Sequence, residues 1–281
     1  MLSEPRRLDL RSAQIQSKKL RLVATDLDGT LLRSDGTISA HTVEVLGTMS
    51  ARGTRIVLVT GRPVRWLSKV YDQVPLPLPA VCANGAVVYD PVNDEVLRAD
   101  PLAPDLLADV CERLRSTVDD AVFAVEVDDG RRMYHEATYP IWSDADRRAI
   151  RPSGSLADLC AVPAVKLLVR SESRDSDALL TAVLSSVDGL VEVTHSTATG
   201  LVEVSAVGVT KATGLAWLCE RLGVVADDVL AFGDMPNDVP MLSWAGRAVV
   251  VANAHPAAKE VADDVTLSND DDGVAEYLLG L

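Results

Sequence analysis

Three short apolar runs, "KLRLVAT", "TRIVLVTGR" and "LPAVCANGA", follow one another in the first third of the chain, and each stops at a polar turn. Runs that apolar read as strands buried on both faces, and such strands lie in parallel sheets covered by helices. Parallel neighbours cannot be joined by a tight turn, so the residues between them must cross over, usually as a helix. "SAHTVEVLGTMSARG" fits that role, with Ser39 as N-cap and Gly53 just past the end, and a second helix is expected from near Pro63. The same alternation returns from "VTKATGLAWLCERLG" onward, through "VLAFGD", "VPMLSWAG", "RAVVVAN", "HPAAKEVAD" and "GVAEYLLGL".

Between these stretches the pattern is different. "AVVYD" and "EVLRAD" flank the turn-rich "PVND", and "AVFAVEV" and "RMYHEATY" join through Asp129-Gly130, so both pairs read as hairpins. Helical "PDLLADVCERLRSTV" and "SDALLTAVLSSV" and the strand-like "PAVKLLVRS", "LVEVTHS" and "GLVEVSA" complete a mixed segment. The expectation is an α/β protein. A Rossmann-like parallel-sheet core, residues 20–86 and 191–281, is interrupted by a smaller α+β domain at 87–190 and preceded by an N-terminal extension, 1–19. A length of 281 residues suits about two domains.

Forty-eight per cent hydrophobic and 24 per cent charged residues suit a globular protein, and with only 4 per cent aromatics the cores must be Ala, Val and Leu. The net charge of −14 argues against a broad nucleic-acid or anionic-membrane surface. A small anionic substrate would need local positive charge, including a metal ion. Cys82, Cys111, Cys160 and Cys219 form no CxxC pair, which points to reduced thiols in the cytoplasm. No apolar run reaches the ~18 residues of a membrane span, and the N-terminal "MLSEPRRLDLRSAQIQSKKL" has no apolar secretory core.

In open parallel sheets ligands bind beyond the carboxyl ends of the strands, and four polar signals fall there. In "TDLDGT", Asp26 and Asp28 are two positions apart on an extended chain and reach the same side. Asp26 suits a nucleophile and Asp28 a general acid and base, although an acidic turn would look the same. Thr60-Gly61-Arg62 offers a hydroxyl and backbone N–H groups to an oxyanion, or simply a capped turn. Lys211 follows the N-cap Thr210, where a cation opposes the helix dipole and is more easily understood facing an anion. In "GDMPNDVPML", Asp234, Asn237 and Asp238 cluster on a loop whose oxygens suit Mg²⁺. At ~4 Å and an effective dielectric of ~20, each carboxylate pair costs ~4 kcal/mol, so the set makes sense only with a compensating cation.

"DLDGTLL", "VTGR", the lysine of "GVTKATGL" and "GDMPNDVPML" resemble, in order, the four motifs of the haloacid dehalogenase (HAD) superfamily, in the arrangement of its Cof-type phosphatases. "CANGA" resembles the Asn-Gly segment at the entry to that branch's large α/β cap. The resemblance implies a phosphoric monoester hydrolase working through an aspartyl-phosphate. In it Asp26 is nucleophile and Mg²⁺ ligand, and Asp28 is acid/base, with its carbonyl on the metal. Thr30 orients the loop, Thr60 and Gly61 hold phosphoryl oxygens, and Lys211 neutralises charge. Asp234 binds Mg²⁺, Asn237 contacts phosphate or substrate, and Asp238 belongs to the metal site. Ala212 stands where a Gly commonly follows the lysine, and Pro236 and Pro240 stiffen the last motif; neither removes a functional group.

The implied partner is a small phosphorylated metabolite, such as a sugar phosphate, chosen by the cap. Arg131, Arg132, Tyr134 and His135 of "DDGRRMYH" are candidates to face it. A sugar phosphomutase, or a catalytically silent phosphate-ligand sensor on the same scaffold, are the alternatives. Substrate, pathway and oligomeric state are not legible in these residues.

Overall fold

The computed structural model of the chain describes residues 20–141, 149–152, 155–187, 189–197 and 199–281; the expected extension at 1–19 lies outside them. The chain runs from β1 (Leu22–Thr25) through α1 (Ala40–Ala51), β2 (Arg55–Val59), α2 (Ser68–Tyr71) and β3 (Ala80–Cys82) into a hairpin of β4 (Val87–Asp90) and β5 (Glu95–Ala99). Next come α3 (Pro104–Thr117), β6 (Val122–Val127), β7 (Arg132–His135), β8 (Ile150–Pro152), α4 (Leu156–Leu159), β9 (Lys166–Arg170), α5 (Ser176–Val187), β10 (Val191–Thr194) and β11 (Leu201–Ala206). The last stretch holds α6 (Lys211–Leu222), β12 (Val229–Gly233), α7 (Val239–Trp244), β13 (Arg247–Val250), α8 (Pro256–Lys259), β14 (Asp264–Val265) and α9 (Gly273–Leu279).

The core sheet has the order β14-β13-β12-β1-β2-β3-β4-β5 and is parallel from β14 to β3. Its central strands are buried on both faces because successive side chains enter different cores. Val23 packs into the cluster containing Val45 and Leu46 of α1 and Leu278 of α9, while Leu22 and Ala24 join Leu215 of α6 and Met241 of α7. Chain order reverses at β1, so the cleft beyond the ends of β1 and β12 is where a ligand site forms in such sheets.

The second sheet, β10-β11-β9-β6-β7-β8, is antiparallel except for β7 beside β8. Helices α3 and α5 cover one face: Leu107, Val110, Leu179 and Val183 pack on Phe123, Leu167 and Val202. The other face turns toward the core cleft.

Two expectations change here. The insert boundaries at 87 and 190 do not match the division of strands. The β4–β5 hairpin pairs with β3 and extends the core sheet, whereas β10 and β11 belong to the second sheet. A hairpin carries the same alternating pattern whichever sheet edge it joins, so only pairing decides its membership. The helix expected near Pro63 is a single 3₁₀ turn over 64–66 and the four-residue α2. Pro75, Pro77 and Pro79 follow closely and forbid a longer helix.

Candidate active site

Each motif residue sits where a strand or helix ends. Asp26 follows β1, and its N–H still donates to Phe232 O of β12 at 3.0 Å, which keeps the residue extended and its side chain directed into the cleft. At Gly29 the backbone turns sharply with φ +79°, and a Cβ there would collide with the Asp234 carboxylate. Glycine is therefore what lets the first loop close onto the fourth. Thr30 Oγ1 then donates to Asp234 Oδ1 at 2.8 Å.

Lys211 opens α6 behind Thr210, whose hydroxyl accepts from Thr213 N. Its Nζ, fully buried, donates to Asp26 Oδ1 and to Asp238 Oδ1, each at 2.6 Å. The other oxygen of Asp238 accepts from the backbone N–H groups of Asp234 and Met235, both at 3.0 Å. Both Asp238 oxygens are thus engaged, and this residue fixes the loop and the lysine.

Asp26, Asp234 and Asp238 bring carboxylate oxygens within 4.8 Å of one another, all buried. Burial, outweighing the pull of Lys211 and helped by the neighbouring carboxylates, raises Asp26 well above the usual range. Asp234 is pushed up to about 7, first by burial and then by Asp238. Three carboxylates sharing one lysine are short of positive charge, and an all-oxygen donor set suits a hard divalent cation. Asn237 Oδ1, buried and without a hydrogen-bond partner, is a further group awaiting a ligand.

Asp28 differs from the other carboxylates in being half exposed. The Arg62 guanidinium grips it with two hydrogen bonds, Nε to Oδ2 at 2.7 Å and Nη2 to Oδ1 at 2.6 Å. Thr60 is fully buried, and its hydroxyl accepts from Arg62 N at 3.0 Å, which leaves the O–H to donate elsewhere. Gly61 turns beside it, next to Asn84 and Asn237.

Of the predicted motif residues, Asp26, Asp28, Gly61 and Asn237 border one cavity of about 380 Å³ between the two sheets, and Thr30, Thr60, Lys211, Asp234 and Asp238 do not. Sequence reasoning missed the rest of its walls. Arg65 pairs with Glu126 of β6, and Lys166 of β9 donates to Glu203 of β11 at 2.5 Å and to Gly61 O. Glu203 also accepts from Asn84 Nδ2 at 3.0 Å, and Asn84 Oδ1 accepts from Asn237 Nδ2 at 3.1 Å. Burial pushes the Glu203 carboxyl up, but Lys166, Asn84 and Ser196 bring it below its ordinary value. Asn84 holds its place in the left-handed region at φ 57°, and Gly85 after it lies where a Cβ would meet Thr210 O. The signal that could have found Glu126, Lys166 and Glu203 is a charge on an otherwise apolar strand, single in "VFAVEV" and "LVEVSA" and at both ends of "KLLVR".

The hairpin candidates stand elsewhere. Alternation along β7 directs Met133 toward the cavity, while Tyr134 packs with the α3–α5 core. Arg131 pairs with Asp94 at 2.8 Å, Arg132 lies near Asp128, and His135 Nδ1 lies 2.7 Å from Glu136 O. None of the four borders the cavity.

Comparison with known proteins supplies the rest. Residues 23–278 match the haloacid dehalogenase-like hydrolase family. The chain is similar to the 5-amino-6-(5-phospho-D-ribitylamino)uracil phosphatase YitU of Bacillus subtilis, 31% identical over 92% of this chain and 96% of that one. It is also similar to the pyridoxal phosphate phosphatase YbhA of Escherichia coli, 28% identical over 92% of this chain and 97% of that one. In fold it resembles a haloacid dehalogenase-like hydrolase from B. subtilis with a TM-score of 0.80 at 24% identity, covering 93% and 99% of the two chains.

Proposed function

The chain belongs to the haloacid dehalogenase-like hydrolases and is a phosphoric monoester hydrolase, and from that premise we propose a Mg²⁺-dependent phosphatase acting on small phosphorylated metabolites through an aspartyl-phosphate. The observation that carries this reading is the Asp26 carboxylate at the tip of β1, tied to Lys211 and surrounded by Asp234 and Asp238. Asp26, Asp234 and the backbone carbonyl of Asp28 would hold the ion, with Asp238 fixing their loop. The ion supplies charge neutralisation for the phosphoryl group when bound.

The chain's own groups then divide the work. Lys211 holds Asp26 Oδ1, so the other oxygen attacks phosphorus and the ester P–O bond breaks. Asp28, half exposed in the cavity, would give a proton to the departing oxygen once freed from its two bonds to Arg62. It then takes a proton from the water that hydrolyses the aspartyl-phosphate and returns Asp26 to its carboxylate. Gly61 and Asn237 border the cavity and the buried Thr60 hydroxyl lies beside Gly61; as fixed donors to the transferred oxygens they would stabilise the charge of the transition state. The second sheet acts as a cap that bounds the leaving group. All four cysteines are unpaired and buried, which suits the proposed cytoplasmic location, and no described helix is long and apolar enough to cross a membrane.

With Mg²⁺ the purified protein should hydrolyse p-nitrophenyl phosphate. EDTA should remove that activity, and Asp26→Asn should lower kcat by at least ~10³-fold. Full turnover in EDTA, or in Asp26→Asn, would sink the mechanism.

A further inference from the structure

The cap face that closes the cavity is written in register across five strands. Ile150 pairs with Met133, Met133 with Glu126, and Glu126 with Lys166; in the next row Leu168 pairs with Glu203. Side chains at paired positions share a face, so this row is the surface presented to whatever leaves with the ester oxygen. Its carbon is contributed by Met133, Tyr139, Ile150 and Leu168, with Trp66 and Met235 bordering the cavity from the core side.

Its charges cancel. Glu126 is met by Arg65 and Glu203 by Lys166, while Arg62 is held by Asp28. Among the described residues, every Lys and Arg bordering the cavity already has a partner, Arg170 through Thr199 O. One donor is left over: Arg65 Nε is buried and has no acceptor.

From these features, and resting on the phosphatase reading above, we propose that the preferred substrate is a phosphomonoester with an uncharged, flat, largely carbon leaving group. A heteroaromatic ring joined to the phosphate through an alkyl oxygen fits this description. The ring lies between the apolar cap row and Trp66, and a ring or exocyclic acceptor takes the Arg65 Nε–H. Aromatic and thioether surfaces suit the faces of such a ring. An open sugar would bring several hydroxyls out of water against carbon, where few partners replace the lost hydration. A second phosphate or a carboxylate would find Arg62, Arg65 and Lys166 already paired with carboxylates, and Arg170 held by the Thr199 carbonyl.

The test is steady-state kcat/KM for the full chain with Mg²⁺, using primary phosphomonoesters of similar intrinsic reactivity. Pyridoxine 5′-phosphate should exceed ribose 5-phosphate and glucose 6-phosphate by on the order of 10²-fold, and fructose 1,6-bisphosphate should be the poorest. Met133→Gln, similar in volume but polar, should narrow the ratio of ring ester to sugar ester several-fold. Acetyl phosphate, which has no ring or sugar, separates the two levels of the argument. If acetyl phosphate is turned over but sugar esters equal or exceed the ring ester, the substrate inference is overturned and the phosphatase reading stands. If Mg²⁺ supports turnover of none of these compounds, both are overturned.

Discussion

The two sides of the cavity treat charge in opposite ways. On the core side, Asp26, Asp234 and Asp238 share the buried cation Lys211, and burial, helped by the neighbouring carboxylates, holds Asp26 and Asp234 above their ordinary pKa range. On the cap side, Glu126 and Glu203 each have their own cation, and Glu203 is held below its ordinary value. Both sides bury carboxylates against basic side chains, yet only one is electrically complete. An incomplete cluster binds what completes it, whereas a complete one selects by shape and by the carbon around it.

The largest effect should come from emptying the core side further. Lys211→Met leaves Asp26 and Asp238 without their shared donor. Turnover should fall by ~10²–10³-fold, and stability by about 3–5 kcal/mol. Urea unfolding should show that deficit shrinking when Mg²⁺ is added, since the ion supplies part of the lost charge. Wild-type turnover in this variant would mean that the core cluster is no more functional than the cap pairs.

On the cap side the matching change should be repairable. Lys166→Met strands a buried Glu203 and should cost about 3 kcal/mol. Adding Glu203→Gln removes the stranded charge but keeps an acceptor for Asn84, so most of that loss should return in the double variant. A double variant as unstable as the single one would show that Lys166 matters for its bond to Gly61 O and not for charge balance.

The smallest effect concerns a cap carboxylate that faces solvent. Asp120 accepts from Ser171 Oγ and from the backbone N–H groups of Glu172 and Ser173. Slight burial pushes its carboxyl up, but those bonds bring it down to about 2. A depressed folded-state pKa stabilises above the unfolded value near 4, and the contribution disappears as pH falls through about 2. Asp120→Asn should therefore lower Tm by at most about 2–4 °C at neutral pH. Thermal melts should show the difference closing as the pH is lowered from about 5 toward 2, and a difference independent of pH would assign it to packing.

The amino-acid sequence by itself determined the α/β alternation, the two carboxylates at the end of β1, the capped lysine of α6 and the acidic loop after β12. These are legible because each is local: a strand end, a helix start or a tight turn places its residues within a few positions of one another. Their convergence followed from strand order, since parallel strands deliver all their carboxyl ends to one edge. Tertiary structure alone decided which sheet the β4–β5 hairpin joins, because backbone pairing at a sheet edge leaves no mark on the alternation of side chains. It alone also decided the cap's contribution. Arg65 and Glu126 are 61 residues apart, Lys166 and Glu203 are 37 apart, and Asn84 and Glu203 are 119 apart. A lone charge in an apolar strand announces that it must have a partner, but burial makes the partner obligatory without naming it. Only the packing of one sheet over the other shows that these charges satisfy each other and leave carbon to face the ligand.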